Sequence, residues 1–261
     1  MRRSRFRRGQ LLGKYKLLEQ LGSGGFAVVY RARDTVEGRD VALKLPNTRV
    51  DAETRDQLLR EVRVAVRLDH PNILPIRNAD VIGEQLLIAY PLGKESLYKR
   101  LQRRLSNERA VSIAEQVLDA IAYAHSRRVI HCDINPSNVI LVDADHVMLS
   151  DFGLARIAAT TQILGSGSGT VGYIAPEQAM GHPSFRSDVF SLGLLLFRIF
   201  AGALPRWPYK WPPPGLARMK RKLTPDAIAW LRRAIEVDDR RRYKNAMQML
   251  RHYERLGDPL R

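Results

Sequence analysis

Residues Val129–Leu149 read VIHCDINPSNVILVDADHVML, and after Ser150 comes Asp151-Phe152-Gly153. Three polar side chains stand at set spacings here: Asp133, then Asn138, then Asp151. Each lies just outside a short run of β-branched and aliphatic residues, so each reads as a loop residue beside a short strand. Grouped around a polyphosphate, two carboxylates and an amide can align a hydroxyl and hold Mg²⁺ through hard oxygen ligands, as phosphoryl transfer requires.

Upstream, residues 15–45 have strand character. Tyr15-Lys16-Leu17-Leu18, Val28-Val29-Tyr30 and Val41-Ala42-Leu43-Lys44 predict three antiparallel strands, with turns at the glycine cluster and at Glu37-Gly38. Gly22-Ser23-Gly24-Gly25 would let the backbone fold tightly over a phosphate chain, and would equally serve an ordinary hairpin. Residues 53–69 predict a helix in which Leu58, Glu61, Ala65 and Leu68 share one inward stripe. A carboxylate on such a stripe wants a cationic partner, and the preceding strand offers Lys44. Pro71 ends this helix.

Two apolar runs follow, Ile73-Leu74 and Leu86-Leu87-Ile88-Ala89-Tyr90, and Pro91-Leu92-Gly93 reads as a linker. Beyond it the pattern predicts helices around 95–104, 108–127, 188–201, 224–236 and 243–255. Thr224-Pro225-Asp226 is a strong start signal, with a capping hydroxyl, a proline at the first helical position and an acid in the first turn. The fold class is therefore α+β: a small β-rich lobe over 13–89 and a larger helical lobe over 90–255, with a ligand cleft expected at the break. Residues 1–12 read as a disordered basic arm and 256–261 as a tail.

The chain has 261 residues, enough to bury a proper core, and 45% hydrophobic content, which says only that it folds. Its one cysteine, Cys132, excludes an internal disulfide and a cysteine-based zinc site and suits a reducing compartment. The formal charge of +16 fits nucleic acid, an anionic membrane surface or acidic protein substrates, and fits equally well a solvated arginine-rich surface. Five arginines fall in the first eight residues with no apolar segment behind them, so no secretory signal is expected. Val189–Leu204, the most apolar stretch, is broken by Arg198 and reads as a buried core helix rather than a membrane span.

Taken together, these residues resemble the eukaryotic-like protein kinase family over about 13–255, with wording closest to bacterial serine/threonine kinases. LGSGGFAVVY resembles the glycine-rich loop, with Ala27 at its third glycine position; VALK carries the strand lysine and Glu61 matches the helix glutamate that pairs with it. HCDINPSN stands where the family has HRDLKPxN, and DFG is intact. GTVGYIAPEQ resembles the end of the activation segment, SDVFSLG with Asp188 the start of the following core helix, and Arg242 the late arginine that pairs with Glu177. The implied fold is bilobal and protein-kinase-like, and the implied cofactors are ATP and Mg²⁺.

The resemblance also implies roles. Asp133, Lys44, Glu61 and Asn135 occupy catalytic positions, and Asn138 and Asp151 the metal positions. Leu21, Gly22, Gly24, Val29, Ala42, Lys44, Ile88, Tyr90 and Ile140 occupy nucleotide positions, with Ala42 and Ile140 sandwiching adenine and Ile88-Ala89-Tyr90 as the hinge. Phe152 would pack under the helix of Glu61, His131 would be structural rather than a proton carrier, and Thr170 would bond the catalytic aspartate. The implied partners are proteins with Ser/Thr acceptors; nucleic acid is not expected, no membrane span is expected, the expected location is cytoplasmic, and oligomeric state is left open.

Two positions depart from the family pattern. Cys132 replaces the arginine that receives a phosphorylated activation loop, so activity independent of loop phosphorylation is expected, although Thr160, Thr161, Ser166 and Ser168 remain modifiable. Asn135 replaces the lysine that places positive charge on the transferring phosphoryl group; losing that charge costs on the order of 10²–10³ in rate. An alternative reading follows from it: a weakly active or inactive pseudokinase serving as a nucleotide-binding scaffold. The region between Gly202 and Leu223 is also trimmed where the family carries a further helix.

Overall fold

The computed structural model describes residues 6–24, 27–47, 52–152 and 171–260, and these form two compact units. The first comprises described residues up to 69 together with 74–93; the second comprises 70–73, 94–152 and 171–260.

The first unit is built on a six-stranded antiparallel sheet in the order β1-β2-β3-β4-β6-β5. Its strands are β1 (Leu11–Leu12), β2 (Tyr15–Ser23), β3 (Ala27–Asp34), β4 (Arg39–Pro46), β5 (Asn78–Ile82) and β6 (Gln85–Pro91). Period-two alternation sets the faces: Val41, Leu43 and Leu45 of β4 are buried, while Ala42 and Lys44 between them are only half-buried. The buried side joins Leu12, Tyr15, Leu17, Tyr30, Ala32, Leu87 and Ala89 in one apolar cluster. The β3–β4 turn is fixed by Asp34, whose carboxylate accepts from the amides of Val36 and Glu37 and pairs with Lys14 at 2.8 Å. Burial pushes that carboxyl up, but Lys14 and the two amides outweigh it and hold it below its ordinary value.

The arm expected over 1–12 is ordered through its described part. Gly9 N donates to Leu17 O at 2.7 Å, Leu11–Leu12 pairs with β2, and Leu12 enters the cluster. Pairing at the open edge of β2 buries Leu12 against the apolar cluster, while Leu11 stays exposed. Helix α1 (Ala52–Val66) stops short of residue 69 in a tightened turn, Arg67 N to Val64 O and Leu68 N to Ala65 O. Of its expected stripe, Leu68 is buried and Glu61 and Ala65 are half-buried; the Leu58 side chain lies outside the described residues, and Val62 is a buried member that the pattern missed.

In the second unit β7 (Glu95–Ser96), β8 (Val139–Leu141) and β9 (Val147–Leu149) form a small antiparallel sheet. The expected helix over 95–104 is reduced to α2 (Leu97–Arg100), because Glu95-Ser96 is taken up by pairing with Leu141 and Ile140. Helix α3 (Asn107–Ser126) starts at Ser106, whose hydroxyl accepts from Arg109 N, and buries its alanine- and isoleucine-rich face. A short α4 (Pro176–Ala179) precedes α5 (Phe185–Ala201), which is capped by reciprocal Ser184–Ser187 bonds and closed by Gly202 at φ 74°. Helix α5 is buried almost all round and explains the apolar 189–204 run. No helix among the described residues is long and apolar enough to cross a membrane.

Between Gly202 and Leu223 the chain makes only α6 (Leu216–Lys220). Helix α7 (Pro225–Ala234) begins as the sequence indicates, Thr224 Oγ1 accepting from Ala227 N, and packs so closely that a Cβ at Gly193 would lie 2.8 Å from Ala234. Helix α8 (Ala246–Tyr253) is shorter than 243–255, since Asn245 caps it while Arg242 and Tyr243 are buried ahead of it.

Candidate active site

Strand register gathers the nucleotide candidates of the first unit. Gly22 lies opposite Val29, Val29 opposite Lys44, and Lys44 opposite Ile88, so these four form one row across β2, β3, β4 and β6. Ala42 and Tyr90 pair in the adjacent same-face row, and Leu21 precedes Gly22 at an exposed position. Cross-strand partners share a face, so Val29, Ala42, Lys44, Ile88 and Tyr90 all stand opposite the apolar cluster. Neither Gly22 nor Gly24 has a positive φ, and a Cβ added there meets nothing closer than 4.0 Å. Among the described residues nothing demands glycine at either place, so both positions leave room for a close approach to the backbone. Gly25 and Phe26 lie outside the described residues. Glu61 sits half-buried on α1 of the same unit.

In the second unit Asp133, Asn135 and Asn138 converge on one loop. Asn135 Nδ2 donates to Asp133 Oδ1 at 2.9 Å, and Asn138 Nδ2 donates to Asp133 Oδ2 at 2.9 Å. Both amides also donate to the Asp133 carbonyl, at 3.1 and 2.8 Å. Asn135 Oδ1 accepts from Ser137 N, an Asx turn that locks its own orientation. With both protons of the Asn138 amide spent on Asp133, the group it presents elsewhere is its oxygen. Asp151 is tied to the same place through Ser150, whose N and Oγ both donate to Asn138 O, at 2.8 and 3.1 Å. Ile140 lies half-buried on β8 between buried Val139 and Leu141.

His131 anchors this loop. Its Nδ1 accepts from Asp133 N at 3.1 Å, so its proton sits on Nε2 and is donated to Ser150 O at 2.9 Å. Its ring centroid lies 4.5 Å from that of Phe152. With both nitrogens engaged it has a structural role, as the sequence suggests. Cys132 and Asp151 hold φ of 67° and 71°, left-handed conformations that cost non-glycine residues about 1–3 kcal/mol each and that cluster at working sites.

At Cys132 the restraint comes from Asp188, whose role the sequence did not disclose. Its fully buried carboxylate accepts from His131 N at 2.7 Å, Cys132 N at 2.9 Å and His125 Nε2 at 2.9 Å. His125 Nδ1 in turn accepts from Ala246 N at 3.0 Å, tying α3, α5 and the start of α8 to the loop. Gln178 Nε2 donates to the Cys132 carbonyl at 2.6 Å. The expected Arg242–Glu177 pair is present and bidentate, at 2.7 and 3.1 Å, with Arg242 also donating to the carbonyls of Glu236, Arg186 and Val237. Burial raises the Glu177 carboxyl, but Arg242 and the Ser187 hydroxyl overcome it and hold it below its usual value. Gly153, Thr160, Thr161, Ser166, Ser168 and Thr170 lie outside the described residues.

Among the described residues no cluster of three His, Cys, Asp or Glu could hold a metal ion unaided. An amide oxygen from Asn138 and a carboxylate from Asp151 are the donor types that suit Mg²⁺, which binds through one or two protein oxygens plus phosphate and water. The donor set therefore fits a metal that arrives with a nucleotide.

A family model described as "Protein kinase domain" matches residues 15–252. The serine/threonine-protein kinase PrkC of Bacillus subtilis is 34% identical over 211 residues, covering 75% of this chain and 32% of PrkC. The serine/threonine-protein kinase PknD of Mycobacterium tuberculosis is 35% identical over 205 residues, 76% of this chain and 31% of that protein. The chain thus spans about a third of the length of these relatives. Among solved structures, the kinase domain of PknI from Mycobacterium tuberculosis superposes with a TM-score of 0.75 at 26% identity, covering 97% of this chain and 100% of that one.

Proposed function

The chain belongs to the protein kinase domain family, and from that premise we propose that it is a serine/threonine protein kinase using ATP and Mg²⁺. The observation that carries the reading is the Asp133 carboxylate, held on both oxygens by the side-chain amides of Asn135 and Asn138. In this reading Asp133 would orient the substrate hydroxyl and take its proton as that oxygen bonds the γ-phosphorus of ATP and ADP leaves. Asn135 and Asn138 keep that carboxylate from turning away. Asn138 and Asp151 are the metal ligands, and Mg²⁺, when bound, neutralises charge on the phosphates.

Lys44 binds phosphate oxygens and Glu61 steadies it, while Leu21, Val29, Ala42, Ile88, Tyr90 and Ile140 supply adenine contacts. Gly22 and Gly24 let backbone amides close on the phosphates. Relatives named as serine/threonine kinases support the choice of acceptor. Cys132 is buried and its carbonyl is engaged by Gln178, so a neutral packing group stands where a phosphate-receiving arginine would be. This favours activity without loop phosphorylation, and alanine at Thr160, Thr161, Ser166 and Ser168 is expected to leave turnover in place.

A second reading, a scaffold that binds nucleotide and transfers phosphate poorly, is favoured by Asn135 alone. One experiment separates the two: label transfer from γ-labelled ATP to a general protein substrate and to the chain itself, with Asp133→Asn and Lys44→Ala controls. Transfer that both variants abolish supports the enzyme. Nucleotide binding without transfer to any target supports the scaffold.

A further inference from the structure

Beside the catalytic loop, the second unit carries a strongly basic surface. Residues 97–109 hold Lys99, Arg100, Arg103, Arg104 and Arg109 against one carboxylate, Glu108, and residues 216–223 hold Arg218, Lys220, Arg221 and Lys222 against none. Both segments lie against helix α5: its Arg198 side chain meets the Tyr98 ring, and a Cβ at Gly202, which closes the helix, would run into the Arg218 guanidinium. Burial, and then the nearby Arg218 and Arg104, lower Lys222 from its ordinary value; burial, and then Arg109 and Arg103, do the same to Arg100. Arg100 Nη1 donates to the carbonyls of Arg103 and Arg104, at 3.5 and 3.0 Å, and so fixes the turn that presents both. Arg103 is answered by Glu95, whereas Arg109 Nε is buried with no hydrogen-bond partner among the described residues. Crowded cations repel one another, so an arrangement of this kind is stabilised by an anion from outside the chain.

The surface begins at the catalytic loop. Tyr98 N donates to Pro136 O at 2.9 Å, and the Arg198 guanidinium stands 5.8 Å from the centre of the Tyr98 ring. Arg198 also lies close enough to the Tyr173 hydroxyl to oppose the upward push of burial on it. An apolar cavity of about 610 Å³, lined by Gly172, Leu204, Pro205, Trp207 and Tyr209 among others, opens next to Tyr173 in the chain. A peptide can supply an acidic run for the first feature and an apolar side chain for the second.

We propose that this basic surface docks an acidic segment of the protein substrate, running beside the Ser or Thr to be phosphorylated. The proposal rests on the kinase reading above and names its substrate class. It predicts that peptides sharing one acceptor and differing only in their flanks are ranked Glu-rich over Gln-rich over Lys-rich. The Glu-rich peptide is expected to exceed the Gln-rich one by at least about tenfold in kcat/KM, mainly through KM, and to lose that lead as salt is raised. Arg104→Glu/Lys222→Glu should bring the ratio towards one. Arg104→Gln/Lys222→Gln should give a partial loss, with thermal unfolding of each variant reporting that the fold persists. Equal rates on the Glu-rich and Gln-rich peptides, or a ratio untouched by charge reversal, would overturn the proposal.

A binding arm separates this from failure of the kinase reading. Anisotropy of a labelled, acceptor-free Glu-rich peptide on the Asp133→Asn chain needs no transfer. If no peptide is ever phosphorylated, the kinase reading falls and docking is judged here: a Glu-over-Gln preference that charge reversal removes upholds it, and no preference overturns it. An oligonucleotide of equal charge that binds more tightly and displaces the peptide also overturns it, in favour of nucleic acid.

Discussion

Both oxygens of the Asp133 carboxylate are held by neutral amides, Asn135 at Oδ1 and Asn138 at Oδ2, each at 2.9 Å. A neutral donor fixes direction without supplying charge, so Asn135 preserves the alignment of the hydroxyl-orienting group and gives up electrostatic help to the phosphoryl group. Asn135→Ala is therefore expected to lower kcat about tenfold while leaving ATP affinity nearly unchanged, as read by steady-state rates beside a nucleotide titration. Asn135→Asp would set a second carboxylate against the first and cost more, at least about a hundredfold, because like charges at hydrogen-bond distance oppose ionisation. Asn135→Lys tests the opposite property: it restores the charge but forfeits the bond from Ser137 N, so a higher kcat with a stability loss of about 1 kcal/mol is expected. No rise in kcat would mean that another cation already serves the transferring group. The sequence exposed Asn135 as a departure but could not say what it touches, since two residues of loop spacing leave side-chain direction undetermined. His131 was legible as structural, and the bonds from Asp133 N and to Ser150 O give the reason.

At the level of elements, two buried links hold the loop, and both join parts of the chain remote in sequence. Asp188 receives two backbone amides and the His125 ring, so an asparagine there would have to turn an N–H₂ towards one set of donors. Asp188→Asn is expected to cost about 3 kcal/mol in equilibrium unfolding and to loosen the 131–133 backbone, visible as faster amide exchange at those residues. An acid in a first helical turn reads equally well as a dipole-favouring surface residue, which is why its reach back to the loop could not be read from spacing. Thr224 and Pro225 were legible because capping is local. The Glu177–Arg242 pair was legible only through family resemblance, and its pH dependence follows from the depressed Glu177 carboxyl. A carboxyl held lower in the folded state than its unfolded value of about 4.3 contributes stability above that pH and loses it as pH falls through the folded value. Glu177→Gln should thus destabilise clearly at pH 7 and progressively less below about pH 4, where the wild-type side chain also becomes neutral. A destabilisation constant across that range in denaturant titrations would refute the linkage. Arg242→Ala, which strands a carboxylate and three carbonyls, is expected to cost about 3–5 kcal/mol.

For the whole molecule, the division into a β-rich and a helical unit was legible from the change of period near Pro91, from alternation along β4 to the long apolar faces of α3 and α5. What escaped was the fate of segments with mixed signals: Leu11–Leu12 is basic on one side and apolar on the other, and Glu95-Ser96 is equally competent as a helix start or an edge pair. Strand pairing decided both outcomes: Leu11 and Leu12 meet Lys16 and Tyr15 across a tight turn, and Glu95 meets Leu141 from far along the chain. The apolar cluster around Leu43 lies wholly inside the first unit, while α5 is buried by packing with α3, α7 and α8 in the second. Leu43 is fully buried, so Leu43→Ala leaves a cavity worth about 2–5 kcal/mol. Because its neighbours Tyr15, Leu17, Tyr30 and Val41 all belong to the sheet, that loss should appear first in the sheet's own opening. Hydrogen exchange on this variant is expected to show protection in β2, β3 and β4 reduced by the equivalent of the full destabilisation, with amides of α3 and α5 retaining theirs. An equal fall in both sets would show that the two cores open together, since a local cavity can lower distant protection only when the whole chain unfolds as one cooperative unit.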